Sequence, residues 1–376
     1  MGIKLFFAGD FLISNETSKK RIIDESLSQE LDGCDILCCN FEGPIVEKST
    51  KMKKIGPNIK NNKNNAKKLI EDGFNLFCLA NNHIYDYGKK GIEETINFLK
   101  CNNVDFVGAG INGDMYKEYI KEINGIKIGI LNYAENGFGA ATENDDYGYA
   151  YMLNYNVKEK ITNIKKQVDK LVIVVHAGAE HWDVPLPEIR NLYKKFIDLG
   201  ADVIIGHHPH VPQGIENYNN GLIIYSLGNF AFDMGNGPQN NHTYSIIINI
   251  PDKKNIEYKI IPTIFENSII KIDNKNSNIL NEKLNVLNEY ITNKKEYEKI
   301  INDKCIESYK YYMNCYNRVS CIYKGNIKER LKGIVKKFIT KNGFQDIWLY
   351  HNIAIETHYW ICKRALKLLL KKDNIL

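Results

Sequence analysis

The sequence predicts a mixed α/β domain over residues 1–265, followed by a helical extension over 275–376, and three observations lead there. Short apolar runs bounded by polar breaks recur at 5–9, 36–39, 76–80, 171–175 and 203–205, the pattern of buried strands. Between them lie stretches with apolar residues at helical spacing. The charge balance then changes: residues 1–274 hold 30 Lys/Arg against 35 Asp/Glu, and residues 275–376 hold 20 against 10. Such a shift marks two units of different character.

The elements follow in order. A helix is expected over 65–72, where Ala66, Leu69 and Ile70 share a face, and another over 91–100 through Ile92, Ile96 and Leu99. A third spans 186–199, opened by Pro187-Glu188 and closed by Gly200, and it feeds a strand at 201–205. Strands at 126–132, 222–226, 244–250 and 257–263 complete the α/β part. From 275 the text turns helical through Ile279, Leu284, Leu287 and Ile291, and continues over 331–339 and 353–370.

Bulk properties narrow the class. With 376 residues and 44% hydrophobic content the chain can bury a sizeable core. No signal peptide is expected at Met1-Gly2-Ile3-Lys4, no apolar run reaches membrane-spanning length, and the start lacks a myristoylation pattern. Nine cysteines include no CxxC pair, and Cys38, Cys39 and Cys78 lie inside apolar strands, so they read as core residues in a reducing cytoplasm.

The chemistry sits where the apolar runs stop. Six of nine histidines fall between His83 and His210. The runs end at Asp10, at Asn40-Phe41-Glu42, at Asn81-Asn82-His83, at His176, and at Gly206-His207-His208-Pro209-His210. Taken singly, Asp10 would be a turn residue, Asn82 a helix cap and His176 a core histidine. Together, carboxylates, amides and imidazoles at five strand ends of one domain form a ligand inventory for two divalent metals. Gly206 is expected to turn the chain just after its strand. An HxH pair places two imidazoles on one side of an extended segment; which two of His207, His208 and His210 bind is not fixed by the spacing, and His208 and His210 fit best because Pro209 favours extended geometry before it.

These residues also carry a resemblance. Gly9-Asp10, Asn40-Phe41-Glu42-Gly43-Pro44, Leu79-Ala80-Asn81-Asn82-His83 with Asp86-Tyr87-Gly88, and Val107 to Gly110 follow one another in order. His176 to Glu180, Gly206 to Gln213, and Tyr225 to Phe230 continue the series. Over residues 3–235 the chain resembles the CapA-type capsule and poly-gamma-glutamate synthesis proteins of the calcineurin-like metallophosphoesterase superfamily. The resemblance implies a four-layer sandwich, two mixed β-sheets flanked by helices, with the helical C-terminal extension added.

It also implies roles. Asp10 would bind one metal, Glu42 with Asn40 would supply the shared ligand, and Asn82 the second metal. His176, His208 and His210 would complete the set, in a centre for two Mn, Fe or Zn ions. His83 would act as general acid, Asp86 would orient it, and Glu180, His207 and Asn229 would serve substrate or support the ligands. Two departures from the wider superfamily are shared with the CapA branch: Asp10-Phe11-Leu12 replaces Asp-x-His, and Asn40-x-Glu42 replaces Gly-Asp-x-x-Asp. The membrane anchor of many CapA-type proteins is not seen at the start of the chain.

The expected activity is therefore a two-metal hydrolase acting on an anionic surface polymer or a phosphoester. A non-catalytic assembly or polymer-binding protein is the rival, and no nucleic acid partner is expected. Gly108-Ala109-Gly110-Ile111-Asn112-Gly113 spells GxGxxG, but no long helix is expected before the strand at 126, so it reads as a turn. Ser226 lacks a GxSxG elbow. Residues 47–68 hold eight lysines and one acid, read as a solvated loop. The tail has two readings. One is a cap packed on the domain with Trp348, Tyr350, Tyr359 and Trp360 as core. The other is peripheral contact of 326–376 with the inner membrane face of the cytoplasm.

Overall fold

Continuous apolar runs become the central strands of two sheets because both faces of each are covered. In a computed structural model, residues 2–142, 145–234, 243–313 and 343–373 are described. The chain forms two units, one of Met1–Met52 with Asn58–Thr292 and one of Lys53–Pro57 with Asn293–Leu376.

The first unit begins with β1 (Ile3–Leu12), α1 (Glu25–Leu31), β2 (Ile36–Phe41), α2 (Lys63–Glu71), β3 (Leu76–Cys78), α3 (Gly88–Cys101) and β4 (Asp105–Val107). It continues through β5 (Ala109–Ile111), β6 (Tyr119–Ile123), β7 (Ile126–Ala134), β8 (Ala140–Ala141), β9 (Tyr147–Ala150), α4 (Val157–Lys165) and β10 (Lys170–His176). Next come α5 (Pro187–Asp198), β11 (Val203–His207), β12 (Ile215–Tyr218), β13 (Gly221–Ile224) and β14 (Asn229–Phe232). It closes with β15 (Thr243–Ile250), β16 (Glu257–Glu266), β17 (Ile269–Ile272) and α6 (Ser277–Thr292).

The first sheet has the order β17-β16-β15-β1-β2-β3-β4, and the second β12-β13-β11-β10-β7-β6. Both are mixed: β1 to β4 run parallel in one, and β7, β10, β11 and β13 run parallel in the other. Helices α1, α2 and α3 bury Leu27, Leu31, Ala66, Leu69, Ile92 and Leu99 against Phe6, Ala8, Cys39 and Phe77 of the first sheet. Alternate residues of β1, Leu5 and Phe7, are also buried, so its other face is covered as well. On the second sheet α4 packs on β10, and α5 on β11 and β13. Asn132 of β7 links the sheets: its Oδ1 accepts from Ala80 N at 2.7 Å, and its Nδ2 donates to Val174 O at 3.2 Å. The arrangement is the expected mixed α/β one, helices outside two central sheets. A third small sheet, β5-β9-β8, adds to it.

Several expectations change in detail. The strand expected to stop at Asn132 runs to Ala134, because Asn132 meets its hydrogen-bonding needs inside the core. Helix α6 begins within the range expected for the extension, yet it belongs to the first unit, with Asn288 Oδ1 accepting from Ile215 N at 2.6 Å. The GxGxxG stretch is followed by the 3-10 turn Asp114–Tyr116 and then by β6, so no long helix opens there. Ser226 is buried and accepts from Gly228 N.

The second unit holds α7 (Lys294–Met313), α8 (Gly343–Ala354) and α9 (Glu356–Lys372). Helices α7 and α9 pack together, burying Tyr297, Ile301 and Cys305 on one and Thr357, Ile361, Cys362 and Ala365 on the other. Of the four aromatics expected in a core here, Tyr350 and Tyr359 are exposed and Trp348 and Trp360 are half-buried, while Tyr297 is buried. The helix expected over 331–339 lies outside the described residues. Among the described residues no helix is long and apolar enough to cross a membrane.

Candidate metal centre

The parallel strands of both sheets finish at a common edge, the place where open α/β sheets gather ligands. On β1 the pairing with β2 jumps from Ala8↔Cys39 to Asp10↔Asn40, leaving Gly9 as a bulge that re-aims Asp10. A side chain at Gly9 would stand 2.0 Å from Gly228 O, so only glycine lets the two backbones approach. Glu42 follows β2 and is held by its N–H to Phe11 O at 3.0 Å. Beyond β3, Asn81 Oδ1 accepts from Gly43 N and His83 N, each at 3.2 Å, and its amide donates to Phe41 O at 2.9 Å. Asn81 thereby fixes the turn that carries Asn82 and His83 beside Glu42.

The second sheet supplies imidazoles, but not as the spacing suggests. His176 ends β10 and His207 ends β11. His208 and His210 adopt φ of 93° and 58°, so the segment is bent rather than extended. Gly206 does not make the turn. It lies within β11, where a Cβ would meet Tyr225 O at 2.0 Å. The bend falls on the histidines themselves, a strained backbone of the kind held at functional sites.

The ligand-type atoms converge. Asp10 Oδ1 accepts from Asn40 Nδ2 and faces His207 Nδ1, both at 2.9 Å, while Oδ2 lies 3.1 Å from His210 Nδ1. Asn82 Oδ1 and His208 Nδ1 each lie 3.0 Å from His176 Nε2. His210 Nδ1 also meets Asn229 Oδ1 at 2.9 Å, and its Nε2 lies 3.8 Å from Glu42 Oε1. Ligating atoms of Glu180, His208 and His210 fall within 4.8 Å of one another, as do those of Asp10, Glu42 and His176. Glu180 is exposed at the rim. His83 Nδ1 stands 2.8 Å from Asp86 Oδ2, which also accepts from Ile59 N at 2.7 Å, and His83 Nε2 points toward Glu42 Oε1 at 3.9 Å.

Electrostatics separates the two central carboxylates. Burial raises the pKa of Glu42 to about 8, with Asp10 adding to the rise and His210 opposing it. Burial works against Asp10 too, but hydrogen bonds to His207 and His210 hold it well below the usual carboxylate range. Burial likewise lowers His210, yet Glu42 and Asp10 outweigh it and raise it to about 10. Burial carries His208 down to about 4 and His176 well below the usual imidazole range.

These residues fit divalent cations. Both oxygens of Glu42 and Oδ1 of Asn40 are buried without a hydrogen-bond partner, a cost that ligation would remove. Ligands about 2.1 Å from one ion at right angles stand about 3.0 Å apart, the spacing seen around His176 Nε2. The mixed nitrogen and oxygen set suits Mn, Fe or Zn.

Asp10, Asn40, Glu42, Asn82, His83, Asp86, His176, His207, His208, His210 and Asn229 are thus gathered at one edge, with Glu180 at its rim. A further residue of this edge is Glu135, just past β7, buried with Oε1 3.4 Å from His208 Nε2. Its signal in the sequence is one more acid after an apolar run, hidden by the polar Asn132 within that run.

The family described as "Bacterial capsule synthesis protein PGA_cap" matches residues 4–234. The chain is 35% identical over 218 residues to the capsule biosynthesis protein CapA of Bacillus anthracis, covering 56% of this chain and 53% of that protein. It is 36% identical over 205 residues to the PGA biosynthesis protein CapA of Bacillus subtilis, covering 54% of each. The chain thus spans about half the length of these relatives. Among solved structures, a putative 5'-nucleotidase from Staphylococcus aureus in complex with alpha-ketoglutarate aligns at 12% identity and a TM-score of 0.44, covering 75% of this chain and 58% of that one. With the family match running through every ligand-bearing strand end, the chain belongs to the PGA_cap family of bacterial capsule synthesis proteins.

Proposed function

We propose that the chain is a divalent-metal-dependent hydrolase that acts in the synthesis or processing of poly-gamma-glutamate or another anionic surface polymer. The observation that carries this reading is the buried Glu42 carboxylate, without a hydrogen-bond partner amid Asp10, Asn40, Asn82, His176, His208 and His210. Asp10, His210 and Glu42 would hold one ion, and Asn82, His176, His208 and Glu42 the other. Bound there, two such ions would supply charge neutralisation at an ester or amide and a water acidic enough to ionise near neutral pH.

The protein's own groups do the rest. Asp86 accepts from His83 Nδ1–H, which fixes the ring and turns Nε2 toward the site. From there His83 delivers a proton to the leaving group. Asn229 and His207 steady His210 and Asp10 through their ring nitrogens and carboxylate. The same site serves a phosphoester or an amide, and the CapA relatives' names favour the polymer.

The rival reading, a non-catalytic assembly protein that uses the site to bind anionic chains, shares the metals but not turnover. Elemental analysis of the purified chain, then turnover of bis(p-nitrophenyl) phosphate and of poly-gamma-glutamate with added Mn²⁺, separates them. Two ions and hydrolysis are expected; bound metal with no turnover of either substrate favours the assembly role. We further propose a cytoplasmic site of action, with the lysines of α9 touching the inner membrane face. Flotation with anionic vesicles should weaken in high salt and in K363E/K367E/K371E. Full-length protein that never floats removes the membrane contact.

A further inference from the structure

Three parallel strands of the second sheet finish side by side, with Ala134 of β7, His176 of β10 and His207 of β11 in register. The ladder extends one step further: Glu135 N donates to His176 O and Ala177 N to His207 O, each at 3.1 Å. The residue after β7 therefore stands level with the residue after β11, and these are Glu135 and His208. Glu135 is only 3% exposed. Its Oε1 accepts from Gly178 N at 3.3 Å and faces His208 Nε2 at 3.4 Å. The opposite edge of the same ring, Nδ1, lies 3.0 Å from His176 Nε2.

A neutral imidazole carries one proton, so one nitrogen donates while the other offers a lone pair. Which is which follows from the partner that each edge meets. Here one edge meets a buried carboxylate and the other meets Nε2 of His176, with Asn82 Oδ1 beside that nitrogen.

We propose that Glu135 is a positioning residue for the ion held by Asn82, His176 and His208: it accepts a hydrogen bond from Nε2–H of His208, which keeps the proton on Nε2 and leaves the Nδ1 lone pair for the metal. The inference rests on the metal reading above. The 3.4 Å separation is long for a hydrogen bond and places the carboxylate directly behind the Nε2 edge of the ring. Through Gly178 the same carboxylate oxygen anchors the exit of β10, so one side chain sets two histidine-bearing strand ends relative to each other. A carboxylate behind a ligating histidine also raises its basicity, and its loss typically weakens metal affinity about 10- to 100-fold.

The test is chelator-competition titration of the full chain with Zn²⁺. Wild type should take up two ions. E135Q and E135A should weaken one of them, by about 10-fold and up to about 100-fold, and leave the other unchanged. In an H208A background the loss from E135A should be clearly smaller than in wild type, what remains coming through Gly178. A wild-type chain that binds no Zn²⁺ overturns the metal reading itself. Two ions in wild type with unchanged affinities in E135A overturn the role of Glu135 alone, as does an equal loss with and without His208. A measurement that needs no folded variant is the ¹⁵N spectrum of histidine-labelled, Zn²⁺-loaded wild type. The His208 signal should show Nε2 protonated and Nδ1 metal-bound, and the reverse tautomer overturns the proposal.

Discussion

The two sheets bring different chemistry to one edge. The first ends in oxygen and amide donors, Asp10, Asn40, Glu42 and Asn82, held by a glycine bulge and by Asn81. The second ends in imidazoles, His176, His207, His208 and His210, two of them on positive φ. Neither set alone satisfies a divalent ion of mixed preference, so the site exists only where the sheets meet. The oxygen side is where buried acceptors lack hydrogen bonds, at Glu42 and Asn40, while His207 and His176 meet Asp10 and Asn82 across the gap.

The largest expected effect comes from removing one contribution. His176→Ala takes away the nitrogen around which Asn82 and His208 gather, and Asp10→Asn takes away the charge that His207 and His210 face. Each should lower bound metal from about two ions to one or fewer, since a lost ligand opens the site. Metal content by mass spectrometry of the purified variants decides it. Wild-type content in either variant means the ligand sets are assigned wrongly.

Next is a residue that faces the site yet is assigned no metal. His83→Ala leaves both ligand sets intact and removes the Nε2 that Asp86 aims inward. Turnover should fall by roughly 10²–10⁴-fold, the usual contribution of a general acid, with metal content unchanged. Parallel loss of metal would make His83 a ligand.

How far the sequence foretold this can be judged residue by residue. The oxygen side was legible, because Asp10, Asn40-Phe41-Glu42 and Asn82-His83 each follow an apolar run too long to be a loop. The imidazole side was legible as a set but not in its shape. Side-chain spacing carries no information on positive φ, and Pro209 suggests extension where the chain bends. Glu135 was hidden because a polar Asn132 reads as the end of its strand, while in the fold it bridges the sheets. Helix α4 is masked in the sequence: Val157, Ile161 and Ile164 keep helical spacing, but lysines and polar residues surround them.

Asn132 allows the meeting of the sheets to be tested without touching a ligand. Asn132→Ala leaves the buried Ala80 N–H without its acceptor and removes the side-chain bond to Val174 O, which should cost about 1–3 kcal/mol. Denaturant unfolding measures the loss. If the junction positions the site, affinity for both ions should fall together. Full affinity in a destabilised N132A would show that each sheet holds its ligands independently.

The smallest effect contrasts Glu42 with Glu216, a carboxylate on β12 whose charge is fully answered. Burial opposes its ionisation, but hydrogen bonds from Arg190, Lys194 and Tyr225 hold its pKa down to about 2. Arg190 binds it through Nε at 2.9 Å and through a second guanidinium nitrogen at 2.7 Å, and Tyr225 donates at 2.6 Å. Because the folded pKa lies below the ordinary value, this group's stabilisation is complete above about pH 4.5 and is lost as pH falls toward about 2. Glu216→Gln should therefore be less stable than wild type at neutral pH, on the order of 1 kcal/mol given the partly solvated cations. The gap should close as acid protonates the wild-type residue, and a difference that stays constant from pH 7 to 2 would assign the effect to packing rather than charge. Metal content should not move in this variant, because Glu216 answers to its own cations and to neither ligand set.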